Sequence, residues 1–206
     1  MRQTRCKMFV VVRDTIPHQL QQEKMPIQTI KSNLEESPVL FSTFKIINSL
    51  PVFSSKEYFG IILDSLNWYR QNRGIKIYAY TILINHLHLV LEFSDDWEGE
   101  KVIAGFKKYT AKKIINRLKE DKRYDILEEM WREGFKINKE GSKVWEVNSW
   151  PVAITSDKFF NQKVAYTDYN ASHHKVVKDI ETWPYTSFHN HYCSHPCLLK
   201  IDAIYS

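Results

Sequence analysis

Cysteine is scarce in this 206-residue chain. Cys6, Cys193 and Cys197 are an odd and sparse set that excludes the paired disulfide framework of a small secreted domain. Long apolar runs are absent too. Nothing approaches the roughly 18 consecutive apolar residues of a membrane-spanning helix, and Met8-Phe-Val-Val-Val12 is far too short for the apolar region of a secretory signal. There is no internal repeat or low-complexity tract, which excludes solenoids and arrays. A soluble cytoplasmic protein is therefore expected, with no membrane partner. What is present is foldable: 43% apolar and 14% aromatic residues are too many for a disordered tail. The formal charge of +5 permits a nucleic-acid or other polyanionic partner without requiring one.

Residues 1–38 mix Gln, Lys, Glu and Pro with little periodicity and read as an N-terminal extension, partly disordered, ahead of one domain over 39–206. Val39 to Ile47 is β-branched and aromatic and predicts a strand. Ser54-Ser-Lys-Glu57 then resembles a helix start. Tyr58, Ile61, Ile62, Ser65, Leu66 and Tyr69 follow at three- and four-residue spacing until Gly74 ends the helix. Ile75 to Phe93 is strand-like throughout but too long for one strand, so a tight bend is expected near Leu83-Ile84-Asn85. Glu100 to Lys119 predicts an amphipathic helix with Ile103, Phe106, Thr110, Ile114 and Leu118 on its apolar stripe. On another face Lys101, Lys108, Lys112 and Lys119 line up, flanked by Lys107, Lys113 and Arg117. A third strand is expected across Lys143 to Ile154, and Ser156-Asp157 caps a last helix carrying Phe159, Phe160, Val164, Ala165 and Tyr169. The order β, α, β-β, α, β, α implies an α+β protein, ferredoxin-like or RRM-like, with helices on one face of an antiparallel sheet.

Within the predicted hairpin, His86 and His88 are separated by one residue, so both imidazoles point to the same face of the strand. Two imidazoles fixed side by side can grip one metal ion and leave positions open for substrate. The alternative is a pair of histidines that merely pack and hydrogen-bond. In the last helix Tyr166 and Asn170 are four residues apart, just over one turn, and project from one side. A phenol is a weak nucleophile near neutral pH, and a divalent ion beside it would help by polarising the electrophile. With the Asn170 amide oxygen as a third, hard ligand, the set suits Mg²⁺ or Mn²⁺ at a phosphate. Tyr169 is a reserve nucleophile, but it is offset by about 60° around the helix from Tyr166. The run His189, His191, Cys193, His195, Cys197 invites a zinc reading, yet its alternating spacing would string ligands along a line. His173 and His174 follow Asn170 closely, which offers a phosphate contact, but a surface position is the stronger expectation.

His86-Leu87-His88 is an instance of the HUH motif of single-strand DNA nucleases, and the chain resembles the single-tyrosine HUH transposases, in particular the REP-associated, IS200-like group. The likeness runs in order over about 40–205. It takes in Phe41-Ser-Thr-Phe-Lys45, Leu50-Pro-Val-Phe53, Ile77 to His88 and Phe106 to Ile115. It continues through Val144-Trp-Glu-Val-Asn148, Tyr166-Thr-Asp-Tyr-Asn170 and Trp183-Pro-Tyr-Thr-Ser-Phe188. The resemblance implies the HUH endonuclease fold, Tyr166 as nucleophile, and His86, His88 and Asn170 as metal ligands. It also implies cleavage and rejoining of single-stranded DNA through a 5′-phosphotyrosine, with hairpin DNA as partner, a homodimer as one assembly, and a cytoplasmic, nucleoid-associated location. Beside such a site the lysine stripe, with Lys101, Lys107, Lys108, Lys112 and Lys119, is expected to track a DNA backbone; the plainer alternative is a solvated helix face. Two departures stand out: Ala171 follows Asn170 where the family often has Pro, and Ile84 precedes Asn85 where it usually has Pro. Two rival readings remain: a domesticated hairpin DNA- or RNA-binding protein without turnover, and a metal-independent structural domain.

Overall fold

A hairpin with two unlike faces organises the molecule. The computed structural model describes residues 37–94, 99–138, 141–147, 151–193 and 197–204; all but the last two residues of the expected N-terminal extension lie outside that set. Strand β1 (Val39–Lys45) is followed by a 3₁₀ turn (Ile47–Ser49), helix α1 (Lys56–Arg73), and the hairpin strands β2 (Lys76–Ile82) and β3 (His86–Glu92). Then come α2 (Gly99–Glu120), α3 (Tyr124–Asn138), a two-residue strand β4 (Val152–Ala153), α4 (Asp157–Asp168), α5 (Asn170–His173), a 3₁₀ turn (Ile180–Thr182) and α6 (Phe188–Tyr192). The sheet is antiparallel with order β2-β3-β1-β4. Gly74 closes α1 in the left-handed conformation, φ 62°, which a side chain would strain.

Because side chains alternate along a strand, the apolar and functional residues of β3 separate cleanly. Leu87, Leu89 and Leu91 join Leu40 and Phe44 of β1 in the main core, covered by Tyr58, Phe59, Ile62 and Leu66 of α1 and by Ile103, Phe106, Ile114 and Leu118 of α2. Each such fully buried side chain contributes about 1.5–3 kcal/mol relative to exposure. Trp145 completes this layer, with its ring 6.3 Å from Phe44 and its Nε1 donating to Lys107 O and Thr110 Oγ1, both at 3.1 Å. A Cβ on Gly105 would stand 2.6 Å from the Tyr69 hydroxyl, so glycine there allows α1 and α2 to pack closely.

The antiparallel α+β class stands as expected, but the helices do not all lie on one face. Helix α4 covers the opposite side, where Val164 and Phe160 pack with Phe41, Tyr78, Ala79 and Val90. Those strand residues are apolar and would otherwise be exposed, and the covering helix is the one that carries Tyr166. The strand expected over 143–154 is also corrected. Among the described residues only an isolated bridge, Trp145 to Ile46, and β4 pair there. Val144 and Trp145 are adjacent and both buried, which the alternation of a half-solvated strand does not permit. Helix α3, not anticipated, buries Ile126 and Met130, four residues apart, against the main core.

Candidate metal centre and nucleophile

The bend between β2 and β3 is clamped. Leu83 N donates to His86 O (2.8 Å), Ile46 N to Asn85 O (2.8 Å) and Phe53 N to Ile84 O (2.9 Å), so the chain leaving β1 holds the turn. Asn85 thereby acquires a second task. Its Nδ2 donates to Ser49 O at 3.1 Å, which turns its Oδ1 toward His86 Nδ1 at 2.7 Å. Since Oδ1 only accepts, His86 must carry its proton on Nδ1, leaving the Nε2 lone pair available. Thr43, directly across the ladder from His88, places its Oγ1 2.8 Å from His88 Nδ1. A hydroxyl can accept as well as donate, so it is compatible with the same tautomer for His88. Phe41 stacks on the His88 ring, centroids 5.5 Å apart and planes 13° from parallel. The two imidazoles are 5.0 Å apart at 86°.

Burial, reinforced by the positive potential of His174 and Lys45, pushes the His86 pKa down to about 4. Burial drives His88 well below the ordinary histidine range, with His86 and His174 adding to it. Both rings are neutral near pH 7, the form that ligates a metal.

Helix α4 begins at Ser156, whose Oγ accepts from Phe159 N. From it the Tyr166 ring reaches to 5.4 Å from His88 at 74°, and to 5.9 Å from Phe41. The structure thus brings together Tyr166, His86 and His88, which lie about 80 positions apart in the sequence. Lys163, one turn before Tyr166, was not singled out by the sequence reading. Its Nζ lies 4.4 Å from the Phe41 ring centre and 5.7 Å from that of Tyr166, and burial lowers its pKa. The three-residue spacing from Tyr166 was the available signal. Tyr169 points elsewhere, packing on Phe188 (5.2 Å) and Tyr192 (5.9 Å), as its offset around the helix predicts.

The helix pauses at Tyr169 (φ −92°, ψ 4°) and resumes as α5, beginning with Asn170. Asn170 is fully buried, and neither amide atom has a hydrogen-bond partner. His88 Nε2 is likewise buried without one. An orphaned buried polar atom costs about 1–3 kcal/mol. His88 Nε2 and Asn170 Oδ1, both from the expected ligand set, carry lone pairs of the kind that a cation takes up, while the Asn170 Nδ2 donor needs another partner. His174, read from sequence as surface, belongs with the paired imidazoles: ligating nitrogens of His86, His88 and His174 all lie within 4.8 Å of one another. The His174 and His86 ring centres are 5.4 Å apart.

Behind the nucleophile, Asp168 is fully buried and accepts from Ser187 Oγ and from His191 Nδ1 (2.7 Å). Ser187 Oγ also accepts from Tyr80 N at 2.9 Å, and Thr186 Oγ1 donates to Asp168 O at 3.0 Å. The end of α4 is therefore tied to β2 and to the C-terminal segment. This leaves no convergent zinc set there among the described residues: His191 faces Asp168, and His189 Nε2 contacts Trp183 O at 2.8 Å. On α2, Lys101, Lys108, Lys112 and Lys119 are exposed, but Lys107 is set apart from them. Its Nζ sits 5.2 Å from the Phe44 ring centre and donates to Glu146 O, and burial, helped by the Lys143 charge, lowers its pKa to about 8.

Residues 45–149 match the sequence profile of the family described as "Transposase IS200 like". A curated protein of Haemophilus influenzae, assigned as a REP-associated tyrosine transposase, is 25% identical over 111 residues; the match covers 54% of this chain and 57% of that protein's length. In three dimensions the chain superposes with a TM-score of 0.54, at 18% identity, on a REP-associated tyrosine transposase solved bound to a REP hairpin, covering 74% of this chain and 77% of that one. That likeness extends to the fold. No helix among the described residues is long and apolar enough to cross a membrane. With the profile spanning half of the sequence and the HUH hairpin inside it, the chain belongs to the IS200-like transposase family.

Proposed function

We propose that this chain is a metal-dependent transposase or endonuclease that cleaves and rejoins single-stranded DNA at a hairpin, with residues 39–206 as the catalytic unit. One observation carries the reading: the Tyr166 ring stands against His88, on the sheet face where Asn85 and Thr43 engage the Nδ1 atoms of His86 and His88 and the His88 Nε2 is buried without a partner. The Tyr166 hydroxyl oxygen attacks a phosphodiester, the Tyr O–P bond forms as the P–O3′ bond breaks, and the phenol's proton passes in net terms to the leaving 3′-oxygen. A later attack by a 3′-hydroxyl on the 5′-phosphotyrosine reverses the step without a nucleotide cofactor. His86, His88 and Asn170 would hold Mg²⁺ or Mn²⁺, which when bound supplies Lewis-acid neutralisation of charge on the phosphate. The protein's own contribution is placement: Asn85 and Thr43 orient the imidazoles, Phe41 buttresses His88 and Tyr166, and the Asp168 network fixes the helix that presents the phenol.

Binding of hairpin DNA is proposed from the family and from the hairpin carried by the solved relative. The exposed lysines of α2, Lys101, Lys108, Lys112 and Lys119, supply a phosphate-tracking stripe. The test is incubation with an end-labelled single-stranded hairpin and Mn²⁺ followed by denaturing electrophoresis. A covalent adduct is expected in the wild type and in Tyr169→Phe, and none in Tyr166→Phe. Hairpin binding without any adduct would instead identify a domesticated binder, and an adduct surviving in Tyr166→Phe would reassign the nucleophile.

A further inference from the structure

We propose that His174 is a further ligand of the cation held by His86 and His88, a third imidazole that shifts the site from hard ions toward borderline first-row ions such as Co²⁺ and Zn²⁺. This rests on the metal site proposed above and adds to it a residue outside the motif that suggested it.

The argument is geometric. The ligating nitrogens of the three histidines form one cluster with no separation above 4.8 Å. Nitrogens sharing an ion at about 2.1 Å must stand roughly 3–3.5 Å apart. The remaining adjustment falls on the one exposed member, since His86 is half-buried and His88 buried. His174 is placed to make it: it is exposed and caps the C-terminal end of the four-residue helix α5, where the backbone leaves the helix (φ −80°, ψ 7°). The rigid members are fixed at Nδ1 by Asn85 and Thr43, so their Nε2 atoms remain for an ion. Helix α5 thus opens with a buried amide, Asn170, and ends beside an imidazole, His174. An amide oxygen favours Mg²⁺ and Mn²⁺, whereas a third nitrogen favours ions later in the first row. Neighbouring His173 is the internal control: its ring approaches Tyr166, at 6.3 Å, and it is not part of the cluster.

The full-length protein, stripped with chelator and free of DNA, is titrated with Co²⁺ by visible absorption and with Mn²⁺ by electron paramagnetic resonance of the free ion. His174→Ala and His174→Gln are expected to weaken Co²⁺ binding by about tenfold or more and to alter the ligand-field bands, with a several-fold smaller effect on Mn²⁺. His173→Ala should match the wild type. Wild-type Co²⁺ affinity and spectrum in both His174 variants, with binding abolished by His86→Ala, would overturn the role of His174 and leave the metal site standing. An equal loss in His173→Ala would overturn it too, by showing that position along α5 is not what matters. Co²⁺ binding that survives His86→Ala unchanged would remove the site and this inference together.

Discussion

Replacing Asp168 separates an anchor from a mere filler. Its buried carboxylate accepts from Ser187 Oγ and His191 Nδ1, and His191 Nε2 is itself buried without a partner. In Asp168→Ala both donors lose their acceptor inside the protein, a loss of about 1–3 kcal/mol for each buried donor left unpaired. Asp168→Asn is different. Its amide oxygen can still accept from His191, while its NH₂ can donate to Ser187 Oγ, whose own hydrogen turns to Tyr80 O at 3.2 Å. Every partner is then satisfied and only the charge assistance is lost, about 1–2 kcal/mol. Urea unfolding of the three proteins reads the difference as a shift in midpoint at constant slope. The same anchor lies two residues beyond Tyr166, so adduct yield in Asp168→Ala should fall even where the variant remains folded. Equal stability loss in both variants, or an alanine variant within about 1 kcal/mol of wild type, would refute the hydrogen-bond account, because that account makes the unpaired donors the source of the cost.

The histidine cluster makes the metal-free protein acid-sensitive. His86, His88 and His174 all have pKa values lowered in the fold, His86 to about 4 from 6.5. The unfolded chain therefore takes up protons first, so stability is full above the unfolded value and declines as pH falls from about 6.5 toward 4. Urea midpoints at pH 7.5, 6 and 5 should drop in sequence, and less steeply in His86→Gln; a flat profile would mean that the rings titrate in the fold as they do in the unfolded chain. Alanine at Lys108, Lys112 and Lys119 together should flatten the salt dependence of hairpin binding by about 0.7–0.9 in log–log slope for each phosphate no longer neutralised, as followed by fluorescence anisotropy. Lys107→Ala should instead lower stability by about 1–2 kcal/mol, because the stem no longer packs and the ammonium no longer sits over the Phe44 ring, with little change in that slope. A slope change matching that of the exposed lysines would return Lys107 to the DNA-facing set.

Helix α3 shows where local pattern goes unheeded. Ile126 and Met130 stand at helical spacing among charged neighbours, yet Trp131 and Phe135, a stacked pair 5.3 Å apart, are exposed on the same helix, so the apolar stripe is diluted. The stretch around Trp145 erred in the other direction. Its β-branched and aromatic residues suggested a strand, but the indole is held between α2 and the sheet, and among the described residues around it a single bridge to Ile46 is all that pairs.

By itself the sequence determined the elements whose pattern is internal to them. The period-two alternation of β3 sends His86 and His88 to one face and three leucines to the other, and the spacing of Glu100 to Lys119 lays out the buried stripe of α2. These are properties of a strand and a helix wherever they sit. Only the tertiary structure decided that α4 crosses to the histidine face, that Lys107 turns inward, and that His174 and Lys163 join the site. Those outcomes depend on which surfaces remain uncovered once the main core has formed, and residues some 80 positions apart meet only through long-range packing that no local period encodes.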